Sequence, residues 1–162
     1  MSETDYSRRE DILKKVNMFK ESRVLLTAVE IDIFSVLDTH MLTLDQITEK
    51  TGTDPKATER LLAVLAGMEI IHKTKTKYYN TDVSKRFLNK HSSEYLGMID
   101  HVNNLWGSWS NLTKAVKLGK SVDQKESEEE SEKWRKNFIQ AMHGRGVRQA
   151  ELISRLHLVL LH

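Results

Sequence analysis

Apolar residues between Arg8 and Leu37 recur mostly at three- and four-residue steps: Ile12, Val16, Phe19, Val24, Leu25, Ala28, Val29, Ile33, Phe34 and Leu37. That period predicts two helices, or one bent helix, with a broad apolar stripe. The stripe is widest from Leu25 to Phe34, wider than a lone surface helix needs, which suggests burial between subunits as well as within one. Further on, Thr43-Leu-Asp-Gln46 has the form of a capping box, with Gly52 placed to end its helix. Asp54-Pro55 supplies a preferred N-cap and a residue suited to the first helical position. A short helix over 43–50 and a second over 55–66 follow, the second with Leu61, Leu62, Val64, Leu65 and Met68 facing inward. After Gly67, MEIIHK and KYYNT are β-prone and flank Thr74-Lys75-Thr76, predicting a two-stranded hairpin. Helix, turn, helix and hairpin together make a winged-helix arrangement.

The remainder reads as helical. A short helix is expected over 84–88 and a longer helical region over 94–116, with Gly107 marking a break and Gly119 a stop. DQKESEEESEK, residues 123–133, reads as a charged linker, and a final long helix runs from about Ser131 to Leu156, kinked near Gly144-Arg145-Gly146. The chain closes on Leu156, Leu158, Val159, Leu160 and Leu161, apolar surface that calls for a covering partner. The expected fold class is mainly α, with a winged-helix core, a small β-hairpin and additional dimerisation helices.

Composition narrows the function classes. Hydrophobic residues at 39% and charged residues at 30% of 162 support one folded domain of ordinary size. The net charge of +2 comes from 25 basic and 23 acidic residues, too intermixed to indicate a partner. Cysteine is absent, which removes disulfides and thiolate chemistry. No stretch approaches the roughly 20 apolar residues of a membrane span, and the first residues lack an apolar signal segment, so the expected location is cytoplasmic.

The candidate chemistry is sparse. Lys56, Arg60, Lys73, Lys75 and Lys77 could meet phosphates, but the outer face of the second helix offers Thr58, Glu59, Ala63 and Ala66, poor groups for reading bases. Seven histidines show no i, i+4 zinc pairing, so no metal site is expected. Asp100 and His101 are neighbours that a helix turns about 100° apart, a poor acid–base pair. Trp106, Trp109, Trp134, Phe138 and Met142 read either as helix core or as an apolar pocket wall beside polar Gln140, His143 and Arg145.

Several segments jointly resemble one family. "LLTAVEIDIFSVL", "LTLDQITEKTGTDPKATERLLAVLAGMEII" with "YYNTDVSKRFL", "LWGSWSNLTKAVKLGK" and "FIQAMHGRGVRQAELISRLHL" are similar, in order and spacing, to the N-terminal dimerisation domain of S-adenosylmethionine-dependent O-methyltransferases of the caffeate, acetylserotonin and bacterial polyketide or carotenoid type. The resemblance covers about residues 10–158. It implies dimerisation helices over 1–39, a winged-helix core over 40–90, a helical pocket and dimerisation segment over 91–158, and over 159–162 the start of a Rossmann-like catalytic domain. It implies a homodimer and a small aromatic or polyene acceptor, with Trp106, Phe138 and Met142 lining the acceptor pocket and Trp109 and His143 as weaker candidates. S-adenosylmethionine belongs to the full-length enzyme. No catalytic, cofactor-binding or metal residue is expected in this chain, and by itself it is expected to be inactive. Nucleic acid is not an expected partner. The alternative is a winged-helix transcription regulator with a helical dimerisation and ligand region.

Overall fold

The computed structural model describes residues 3–122 and, beyond them, Glu132, Arg135, Phe138, Ile139 and Met142. The chain divides into two compact units, Met1–Ser93 and Glu94–His162.

The first unit begins with two helices, α1 (Glu3–Glu30) and α2 (Ile33–Leu37), so the long apolar period is interrupted rather than bent. The interruption is at Asp32, which takes the left-handed conformation at φ 64°. Three groups hold it there. Ser35 Oγ donates to Asp32 Oδ1 at 2.8 Å and accepts from the Lys90 backbone N–H at 3.0 Å, while Lys90 Nζ donates to the Val29 carbonyl at 3.1 Å and lies 3.3 Å from Asp32 Oδ1. A second tight turn follows α2, where the His40 N–H donates to the Leu37 carbonyl at 2.7 Å and Asp38 adopts φ 41°, ψ −113°. These angles suit glycine. Asn80 and Asn89 secure the turn: Asn80 Nδ2 donates to the carbonyls of Phe34 and Asp38, and Asn89 Nδ2 to Asp38 Oδ1 at 2.8 Å.

The capping box forms as expected. Gln46 N–H donates to Thr43 Oγ1, and Thr43 N–H to Gln46 Oε1 at 3.0 Å, opening α3 (Leu44–Thr51). Gly52 closes it at φ 65°. Asp54 Oδ1 then accepts from Ala57 N–H at 2.8 Å and caps α4 (Pro55–Gly67), with Pro55 at its start. A line of threonine hydroxyls ties the two helices. Thr51 Oγ1 gives its proton to the Ile47 carbonyl at 2.9 Å, so Thr53 donates to Thr51, and Thr58 donates to Thr53, each at 2.7 Å.

Two expectations for α4 are corrected. Thr58, expected on the outer face, is buried, and Val64, expected on the inner face, is 47% exposed. Thr58, Leu62 and Leu65 fall at i, i+4 and i+7 and define the true inner stripe, whereas Val64 lies about 100° round the helix from Leu65. The left-handed turn after α4 falls on Glu69, at φ 59°, with Ile70 N–H donating to the Leu65 carbonyl at 3.0 Å.

The expected hairpin is present as β2 (Ile71–Lys73) and β3 (Lys77–Asn80), His72 opposite Tyr79. A third strand, β1 (Leu42–Thr43), pairs antiparallel with β3 and gives the order β1-β3-β2. The unit closes with α5 (Asp82–Phe87), whose start is capped by Thr81 Oγ1 accepting from Ser84 N–H at 3.1 Å. Phe34, Ile33, Leu37, Ile47, Leu62, Leu65 and Ile71 are all under 2% exposed and form its core.

In the second unit the expected helical region starts at Met98 rather than Glu94, and its break falls at Asn111 rather than Gly107. α6 (Met98–Ser110) runs through Gly107, and α7 (Leu112–Leu118) follows. Ser110 Oγ donates to the Trp106 carbonyl at 2.9 Å and Asn111 Nδ2 to the Gly107 carbonyl at 3.3 Å, side-chain bonds that compete with the backbone ladder at that point. Gly119 ends α7 at φ 66°, as expected. The linker over 123–133 (Glu132 apart), the kink near Gly144 and the closing apolar run lie outside the described residues. So does the last helix, except for Glu132, Arg135, Phe138, Ile139 and Met142, which are helical.

Candidate functional site

Two surfaces merit attention. The first is the outer half of α1. Every described side chain from Ser7 to Ser22 is exposed, and Ile12 (62%), Val16 (62%) and Phe19 (53%) stand at i, i+4 and i+7 on one face. Leu13 and Met18 are exposed as well. Lysines 14, 15 and 20 accompany this stripe. The broad apolar region from Leu25 to Phe34, expected to be buried within one subunit as well as between two, is largely covered within its own unit: Leu26, Ala28, Val29, Ile33 and Phe34 are all buried. The uncovered apolar surface lies earlier on α1. A run of apolar side chains at helical spacing, left in water, is the mark of a contact face.

The second surface is on α6 and the residues beside it. Phe138 and Met142 are each 38% exposed and one helical turn apart, so they share a face. The Phe138 ring meets the His101 ring edge-on, with centroids 5.5 Å apart and planes at 66°. Trp106 is half-buried on α6 but lies about 140° round that helix from His101 at 100° per residue, so the backbone does not direct it toward the Phe138 side. Trp109 is 67% exposed, and Trp134 and His143 lie outside the described residues. Asp100 Oδ2 accepts from the Tyr95 hydroxyl at 2.8 Å, so its carboxylate is engaged away from its sequence neighbour His101. One residue on this helix escaped the sequence reading. Asn104, one turn after His101 on the same side, has its Nδ2 buried without a hydrogen bond among the described residues. Its sequence signal is slight, because Asp100, His101 and a second amide, Asn103, stand in the same stretch.

Elsewhere, a hollow of about 330 Å³ beside α5 is lined by Asp38, Asp82, Lys85, Arg86 and His91 among others, walls too charged for an apolar small molecule. No cluster of His, Asp or Glu among the described residues could hold a metal ion. No described helix is long and apolar enough to cross a membrane. Lys56, Arg60, Lys73, Lys75 and Lys77 are exposed, but with Thr58 buried the outer face of α4 is poorer still in base-reading groups.

Residues 13–90 match the family model of the O-methyltransferase dimerisation domain. The chain is 32% identical over 118 residues to acetylserotonin O-methyltransferase of Gallus gallus, an overlap of 68% of this chain and 34% of that protein. It is 29% identical over 112 residues to the tetracenomycin polyketide synthesis 8-O-methyl transferase TcmO of Streptomyces glaucescens, covering 67% of this chain and 33% of that one. Among solved structures, human N-acetylserotonin methyltransferase in complex with SAM superposes with a TM-score of 0.69 at 22% identity, over 89% of this chain and 47% of that one. The chain thus spans about a third of the length of these two curated relatives. The transcription-regulator reading finds no support in these comparisons.

Proposed function

We propose, from the premise that residues 13–90 are an O-methyltransferase dimerisation domain, that this chain is the subunit-pairing and acceptor-pocket part of an S-adenosylmethionine-dependent O-methyltransferase acting in the cytoplasm. The observation that carries the reading is the exposed stripe Ile12, Val16 and Phe19 on an α1 whose inner half is anchored in the core of its own unit. Two copies that pair these stripes would form a homodimer, shielding apolar side chains at roughly 25 cal/mol per Å². In this reading α3, α4 and the hairpin form a winged-helix core that serves as scaffold rather than as a DNA reader.

Phe138 and Met142 would form one wall for an aromatic or polyene acceptor, and Trp106, further round α6, a separate one, excluding water and holding the acceptor hydroxyl for transfer. When bound, S-adenosylmethionine supplies the methyl group from its sulfonium. In this reading S-adenosylmethionine is held by a separate catalytic domain, and the chain alone is inactive.

Sedimentation equilibrium tests the pairing. The chain is expected to be a dimer, and Phe19→Asp, which puts a charge in the stripe, a monomer with unchanged helicity. A parent chain that is monomeric at every concentration overturns the reading. Calorimetry should detect no micromolar affinity for S-adenosylmethionine.

A further inference from the structure

The exposed stripe on the outer half of α1 has margins of one sign. At about 100° per residue, Val16 and Phe19 lie within about 40° of Ile12, and basic side chains border them on both sides. Arg8 and Lys15 stand about 40° and about 60° from Ile12 on one margin, Arg9 and Lys20 about 60° and about 80° on the other. The acids of the same stretch are placed elsewhere. Glu10 and Glu21 fall on the far side of the helix, and Asp11 lies about 100° from Ile12, outside both margins. All four basic side chains are exposed. Arg9 is paired with Glu10 at 3.0 Å, whereas Arg8, Lys15 and Lys20 make no ion pair among the described residues.

We propose that two copies paired on this stripe form a binding site for a polyvalent anion of the polyphosphate class, and that such an anion tightens the pair. The inference rests on the subunit-pairing reading above and adds to it the chemistry that regulates the contact. Because both margins of a copy are basic, a two-fold axis sets basic side chains beside basic side chains whichever way the helices run. In an antiparallel pair centred on the stripe, Lys15 meets its own copy and Arg9 of one chain approaches Lys20 of the other. In a parallel pair, Arg8 of one chain meets Arg9 of the other. Packed helix axes lie about 8–10 Å apart, within the Debye length of about 10 Å at 0.1 M salt, so the repulsion is felt. Simple salt only screens it. One anion with several charges, seated between the two rows, replaces repulsion by attraction.

The test is sedimentation equilibrium of the chain in low and high sodium chloride, and in millimolar sodium tripolyphosphate at matched ionic strength. The dimer dissociation constant is expected to fall about three- to tenfold between about 0.05 and about 0.5 M sodium chloride, the scale of a few like-charge contacts being screened. Tripolyphosphate should lower it at least about threefold further than sodium chloride of the same ionic strength. The double variant Lys15→Gln, Lys20→Gln changes exposed positions where glutamine sustains a helix about as well as lysine. It should pair more tightly than the parent at low salt and keep no more than about a twofold response to either addition. A dimer that salt leaves unchanged or weakens overturns the inference and leaves the pairing reading intact. So does a tripolyphosphate effect no larger than that of sodium chloride, or a response that persists in the double variant. A chain that stays monomeric under every condition, or a dimer that Phe19→Asp leaves intact, overturns the pairing reading and this inference with it.

Discussion

The segment from Arg23 to Lys90 and the helices α6 and α7 are both rich in apolar side chains, yet they use them differently. In the first, seven large side chains are under 2% exposed or at that limit of burial, drawn from α2, α3, α4 and β2. In the second, no residue of either helix is fully buried, and Trp109 and Val116 are 67% and 73% exposed. The difference separates two requirements of structure. A helix needs only local signals to begin and end, such as the side-chain bonds at Ser110 and Asn111 and the glycine at 119. A core needs opposing faces, and the first unit supplies them from several elements.

The comparison is broken most directly at Phe34. Phe34→Ala should lower the unfolding free energy by about 3–5 kcal/mol, read from denaturant titration, because it opens a cavity among residues already in contact. A loss below about 1 kcal/mol would mean that the first unit is packed no better than α6 and α7. It is sharpened at Glu69, which accepts a left-handed conformation with φ 59° after α4. Glu69→Gly should raise stability by about 0.5–1 kcal/mol in the same titration, a gain showing that tertiary packing imposes a turn the local residue resists. The smallest effect belongs to α7. Val116→Ser, at a site 73% exposed, should change stability by no more than about 0.5 kcal/mol.

What could be read in the sequence follows the range of the forces. The capping box at Thr43, the Asp54-Pro55 start of α4, the hairpin around Lys75 and the stop at Gly119 depend on residues within a few positions, and all appear. β1 did not show because two residues carry no period, and Thr43 was already claimed by its cap. Asp32, Asp38 and Glu69 hold left-handed or turn conformations that their residue types disguise. At Asp32 and Asp38 the stabilising partners, Lys90, Asn80 and Asn89, come from more than 40 positions away. For the candidate site, helical spacing placed Phe138 and Met142 on one face. The meeting of Phe138 with His101, and the solitary amide of Asn104, depend on tertiary packing that periodicity does not encode.

The clasp of Lys90 across the gap between the first two helices also sets a schedule for synthesis. Its backbone bond to Ser35 spans 55 residues. At a translation rate of about 5–20 residues per second, Ser35 leaves the peptidyl-transferase centre about 3–11 s before its partner exists. The turn at Asp32 therefore lacks its Lys90 partners until the first unit, Met1–Ser93, is almost completely synthesised, and its closure is a late event in the folding of that unit.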